Sequence, residues 1–201
     1  MSYSQDKLDE IHDVLVDVNY EDPAWKYAIT IMEDEFNFNV LDLLKEKKYY
    51  IDYFQRGYRW KETHIKTLIE DLSNTFLNSY QTGDERVAVE KYQNYYLGPV
   101  VFSHNVEDGK KSIIDGQQRI TSITLFLIYL NHLQKSHSIK VNISDLIFSD
   151  NYGKLSFNLS DEDREACLNA LFNHASYTPS TDDNETIINL VDRYKDIEDA
   201  F

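Results

Sequence analysis

A single cysteine, Cys167, stands in this chain of 201 residues. That excludes an internal disulfide framework and a thiolate zinc site, and it fits a reducing compartment. Basic residues are few beside acidic ones, 20 Lys and Arg against 35 Asp and Glu, for a formal charge of −15. Such a field repels phosphate backbones and anionic membranes at long range, which disfavours a generic basic nucleic-acid binder. Long apolar runs are missing too: the most apolar stretch, residues 123–130, is far short of the about 20 residues a bilayer span needs. The start, MSYSQDKLDEI, lacks the basic and apolar regions of a secretory signal. These absences predict a soluble, cytoplasmic protein with no membrane partner, in which the sequons at Asn142, Asn158 and Asn184 are inert. With three prolines, six glycines and no internal repeat, and with 42% hydrophobic and 13% aromatic residues, the chain is expected to form a compact core.

The charge is segregated. Residues 1–35 hold ten acids and two bases, residues 36–143 twelve and fourteen, and residues 144–201 thirteen and four. The mildly basic centre can accept an anionic ligand while the flanks keep bulk polyanions away, although acidic flanks also serve solubility alone. This predicts an acidic helical extension over 1–35, a core domain over 36–143, and an acidic, mostly helical segment over 144–201 that leads toward a further region.

Periodicity supplies the elements. Asn39 caps a short helix through residue 45, and residues 49–54 (YYIDYF) read as a strand. Ile65, Leu68, Ile69, Leu72 and Phe76 fall on one face of a helix over 62–80. Residues 95–103 and 111–114 read as two strands joined through Asp108-Gly109, and 117–133 as a helix with Ile120, Ile123, Leu127 and Ile128 inward. A helix is expected near 166–172, and an amphipathic one from 185 onward through Ile188, Val191, Tyr194 and Ile197. A small sheet with flanking helices makes the class α+β.

Most enzyme templates are missing: no GxxxxGK[ST], GxGxxG, GxSxG or HExxH, and no ligand spacing among the six histidines. What is present is IIDGQQRITS at 113–122, where a strand delivers an acid, a glycine, two amides and an arginine to the first turn of a helix. Unpartnered N–H groups and the helix dipole favour an anion there, and phosphate is the natural candidate. Gly116 leaves the backbone open to close approach, Arg119 adds a fork of donors, and Thr121 or Ser122 adds a hydroxyl. Asp115 suits a divalent cation bridged to the phosphates, or a water it orients. The same residues also fit an Asp-Gly turn with Asp115 as helix cap and Arg119 paired to an acid. A second cluster, QRGYRW at 55–60, offers Arg56 as an anion clamp and Tyr58 or Trp60 as a stacking surface, or else a structural loop in which Trp60 staples the next helix.

Together these segments resemble the N-terminal domain of GmrSD-type, modification-dependent restriction proteins, a family with a ParB/sulfiredoxin-like fold. The resemblance lies in four ordered motifs: FQRGYRW at 54–60, LIEDL at 68–72, LGPVV at 97–101 and IIDGQQRITSITL at 113–125. A weaker likeness continues in KLSFNLSDED. Phe54 replaces a usual tyrosine, and Gly57 stands where proline is common, which predicts a looser loop.

The resemblance implies binding of a nucleoside triphosphate with Mg²⁺ or another divalent cation, and its hydrolysis, coupled to attack on modified foreign DNA through the full assembly. It places Asp115, Gly116, Gln117, Gln118 and Arg119 on the phosphate and metal side, Gln117 or Gln118 aligning the attacking water. Gln55 and Arg56 become second-side contacts, Tyr58 the base platform, Thr121 a nucleotide contact, and Asp71 a residue without an assigned role. No histidine-rich nuclease signature follows residue 130, so a nuclease domain or subunit elsewhere is expected, with self-association left open. The alternatives are a module that binds nucleotide or modified DNA without hydrolysis, a ParB-like nuclease, and an inhibitory domain with acidic arms.

Overall fold

A computed structural model describes residues 39–51, 55–104, 111–136, 141–151, 154–160, 162–175, 177–180 and 184–200. The expected acidic helices of 1–35, Phe54 and the Asp108-Gly109 turn lie outside the described residues.

Helix α1 (Val40–Leu44) starts where Asn39 Oδ1 accepts the Asp42 N–H at 2.9 Å, a side-chain cap for one orphan donor. Strand β1 (Tyr49–Tyr50) follows; residues 52–54 of the expected strand lie outside the described residues. Tyr49 fixes it in place: its ring stacks on Phe102 at 4.7 Å and its hydroxyl donates to Leu43 O at 2.7 Å. Helix α2 (Glu62–Ser79) leads through a 3₁₀ turn at Arg86–Lys91 to β2 (Val101–His104) and β3 (Lys111–Asp115). Next come α3 (Gln117–Leu133), β4 (Phe148–Asn151), β5 (Lys154–Phe157), β6 (Leu159–Ser160), α4 (Glu162–Phe172) and α5 (Glu185–Asp199).

The main sheet has the order β2-β3-β1-β6, with β1 parallel to both β3 and β6, and β2 antiparallel to β3. Parallel neighbours require crossover connections, and α3 lies on the path that leaves β3 on one side of β1 and returns at β6 on the other. Strands β4 and β5 form a separate antiparallel pair with Phe148 opposite Phe157. The class is α+β, as the pattern predicts.

Helix α3 runs through the core and is buried on nearly every side from Gln117 to Ile128. Its polar residues are tolerated there because Ser122 and Thr124 donate their hydroxyls to the carbonyls four residues back, at 2.9 and 3.0 Å. Each fully buried Ile or Leu, such as Ile120, Leu125 and Ile128, contributes roughly 1.5–3 kcal/mol relative to exposure.

Beyond residue 143, β6 pairs with β1 in the main sheet, and α5 packs on α2, α3 and α4. Two expected helix faces are corrected. Helix α5 buries Val191, Tyr194 and Ile197 as expected, together with Ile187 and Leu190, while Ile188 is 43% exposed because it falls at the edge of that face. Phe76 of α2 is 48% exposed; it stacks on Tyr80 and meets Tyr92 edge-on instead of reaching the core. Asn158, read only as a sequon, is fully buried: its amide donates to Leu44 O (2.8 Å) and Asp145 O (2.9 Å), tying α1 to the segment before β4.

Candidate functional site

Strand β3 ends at Asp115, and the chain turns through Gly116 into α3. Gly116 has φ +95°, a left-handed conformation that favours glycine. A Cβ there would also meet both Val100 methyls at 3.0 Å. The turn and Val100 thus require a glycine here independently of any ligand. Among the described residues no side chain caps the first turn of α3, so its leading N–H groups keep their partial positive charge.

Gln117 and Gln118 both point back into the fold. Gln118 Oε1 accepts the Arg59 N–H at 2.7 Å and its Nε2 donates to Gly57 O at 3.1 Å. With its amide oriented to satisfy both atoms, Gln117 donates to Arg56 O at 3.2 Å and accepts from Arg164 Nη2 at 2.7 Å. Gln55 donates to Ile113 O. The three amides thus knit the 55–60 loop onto β3 and α3, so the water-aligning role expected of Gln117 or Gln118 meets side chains already engaged by protein.

Tyr58 is fully buried. Its hydroxyl lies 2.7 Å from Ser122 Oγ, and because Ser122 donates onward to Gln118 O, Tyr58 is the donor of that pair. Burial pushes the Tyr58 hydroxyl pKa well above the usual tyrosine value. Tyr58 cannot stack a base. Thr121, expected to touch the nucleotide, is 1% exposed, and its hydroxyl has no hydrogen-bond partner among the described residues. Asp71 accepts from the Tyr95 hydroxyl at 3.1 Å, which anchors the strand approach that carries Leu97.

Leu97 and Gly98 hold Arg119. The guanidinium donates from Nη1 to Leu97 O at 3.1 Å and from Nη2 to Asp115 Oδ2 at 3.2 Å. Gly98 has φ +93°, and a Cβ on it would fall 2.0 Å from Arg119 Nη1. That explains the glycine of the LGPVV segment: the arginine lies across it.

A cavity of about 440 Å³ opens at this point, with Arg56, Trp60, Ile114, Asp115, Arg119 and the start of α3 on its wall. The volume falls in the usual range for small-molecule sites, about 300–1,000 Å³. Arg56 is exposed and makes no ion pair with any described residue. Two cations face one carboxylate, a locally positive site on an acidic protein. Trp60 is partly buried and stacks on His64 of α2 at 5.6 Å, so it both staples the helix and lines the cavity. Among the described residues no three His, Cys, Asp or Glu side chains gather as a metal cage. Among the described residues Asp115 is the one carboxylate on the cavity wall, fewer ligands than a resident metal ordinarily takes from protein.

Four partners of the site carried no recognised signal: Arg164, Thr186, Asn189 and Arg193. Arg164 was findable, since it precedes Cys167, Leu168 and Leu171 at helical spacing on the buried face of α4, and a guanidinium on such a face needs an acceptor.

The fold and site define an α+β domain with a polar pocket where a strand end meets the N-terminus of a buried helix. The family model of the GmrSD restriction endonuclease N-terminal domain matches residues 40–201, and the chain belongs to that family. No curated protein matches it. Among the described residues no helix is long and apolar enough to cross a membrane.

Proposed function

We propose that this chain is a nucleoside-triphosphate-binding regulatory domain of a modification-dependent restriction system, with hydrolysis assisted by Mg²⁺ and with the nuclease on another domain or subunit. The observation that carries the proposal is the pair Arg56 and Arg119 on one cavity at the uncapped start of α3. Phosphoryl transfer asks mainly for positioning and electrostatic stabilisation, and two guanidiniums with a helix N-terminus offer both. In this arrangement Arg119 and Arg56 take the phosphate oxygens, Trp60 replaces Tyr58 as the aromatic surface beside the base, and Asp115 holds the cation. Bound Mg²⁺ would neutralise the charge that develops on the transferred phosphoryl group.

A binding module without turnover is the second role, and one observation favours it: both glutamines of the DGQQR turn are occupied by the 55–60 loop. Thermal melting with ATP, GTP, CTP or UTP, with and without Mg²⁺, beside a phosphate-release assay, separates the outcomes. A selective rise in Tm with phosphate release supports the hydrolysing domain. A rise without release supports the binding module, and no rise with any nucleotide contradicts both.

A further inference from the structure

The 55–60 loop that carries Arg56 and Trp60 to the cavity is gripped from a second side by α5. Thr186 Oγ1 accepts the Tyr58 N–H at 3.1 Å, Asn189 Nδ2 donates to Tyr58 O at 2.8 Å, and Arg193 Nη1 donates to Trp60 O at 3.0 Å. Residues 186, 189 and 193 recur at three and four positions, so they form one stripe of the helix. Beside it, the apolar face with Ile187, Leu190 and Val191 packs α5 into the core. Gly57 reports how close the helix comes: a Cβ there would lie 2.1 Å from Thr186 Oγ1. The loop with Gly57 in place of proline was expected to be looser, but here the glycine lets α5 hold it.

These bonds end on loop backbone and not on the cavity. Resting on the nucleotide-pocket proposal above, we infer that Thr186, Asn189 and Arg193 are positioning residues of the anion site, setting Arg56 and Trp60 opposite Arg119. Pocket occupancy and docking of α5 then stabilise each other, because such coupling is reciprocal.

The test titrates the full chain with ATP, GTP, CTP and UTP in Mg²⁺, well below the melting temperature of every variant. Thr186→Val removes the acceptor at nearly constant volume and is expected to weaken binding about five- to tenfold, while Thr186→Ser keeps wild-type affinity. Ile197→Val, buried on the same helix but away from the loop bonds, is expected to lower Tm and leave affinity unchanged. Wild-type affinity in Thr186→Val, or an affinity loss in Ile197→Val as large as that in Thr186→Val, overturns the inference while leaving the pocket proposal standing. A wild-type chain that binds none of the four nucleotides overturns both.

Discussion

Arg119 Nη2 of α3 donates to Asp115 Oδ2 at the end of β3 at 3.2 Å, so one of the two cations that the described residues place on the cavity is already neutralised by its carboxylate. The arginine is 22% exposed and its partner 66%, so the pair is accessible to a competing anion. On the proposed function, a triphosphate would displace Asp115 from Arg119, and a cation bound with the phosphates would offer Asp115 a new partner.

The first prediction follows from that competition. Asp115→Asn keeps the shape of the side chain and removes its charge. In EDTA it is expected to bind triphosphate several-fold more tightly than wild type, whereas in Mg²⁺ the advantage disappears. Titration calorimetry in the two buffers reads this directly, and equal Mg²⁺ dependence in both proteins would sink the competition.

Gly98→Ala tests the cradle. The positive φ costs roughly 1–2 kcal/mol for an L side chain, and the added Cβ also strikes Arg119 Nη1. Gly83→Ala is the control, since Gly83 has φ +98° with nothing within 4 Å of its Cβ site. Both variants are expected to melt lower, and only Gly98→Ala to lose nucleotide affinity.

Tyr58→Phe removes the inner hydroxyl of the chain Tyr58, Ser122, Gln118 O. The expected loss is about 1 kcal/mol of stability in denaturant unfolding, with nucleotide affinity within twofold of wild type. A large affinity loss without a stability loss would return Tyr58 to the ligand.

The fourth prediction concerns pH. His132 joins α3 to α4 and α5: its Nε2 lies 2.7 Å from Phe172 O and its Nδ1 2.8 Å from the Tyr194 hydroxyl, with His174 Nδ1 at 3.1 Å. A carbonyl only accepts, so Nε2 carries the proton and Nδ1 accepts from the Tyr194 hydroxyl in the neutral ring. Burial lowers the His132 pKa, and Lys135 and His174 lower it further against the Phe172 carbonyl. The unfolded chain therefore binds more protons between the two pKa values. The stability contribution is full above the ordinary histidine value near 6.5 and is lost as pH falls toward the folded value. Melting between pH 7.5 and 5 should show this slope reduced in His132→Gln.

The secondary structure was largely legible because α2, α3 and α5 carry long periodic signals, and Asn39 announces its cap. Phe76 and Ile188 were misplaced because periodicity fixes a helical face only to within a residue or so, and what packs against it decides the rest. At the site, the DGQQR turn and Arg56 were visible as residue types in order. Their division of labour was not: nothing local distinguishes Tyr58, which enters the core, from Trp60, which reaches the cavity. The α5 contacts join positions 128 to 133 residues apart in sequence, beyond any local pattern.

Arg56 supplies the most direct measurement, because it is exposed, has no ion pair among the described residues, and can be removed without disturbing the fold. Calorimetric titration of wild type and Arg56→Ala with the preferred nucleoside triphosphate in Mg²⁺ should show an unchanged ligand-free Tm and at least about a tenfold loss of affinity, as expected for a charge-assisted phosphate contact. Wild-type affinity in Arg56→Ala would contradict the assignment of this cavity as the nucleotide site.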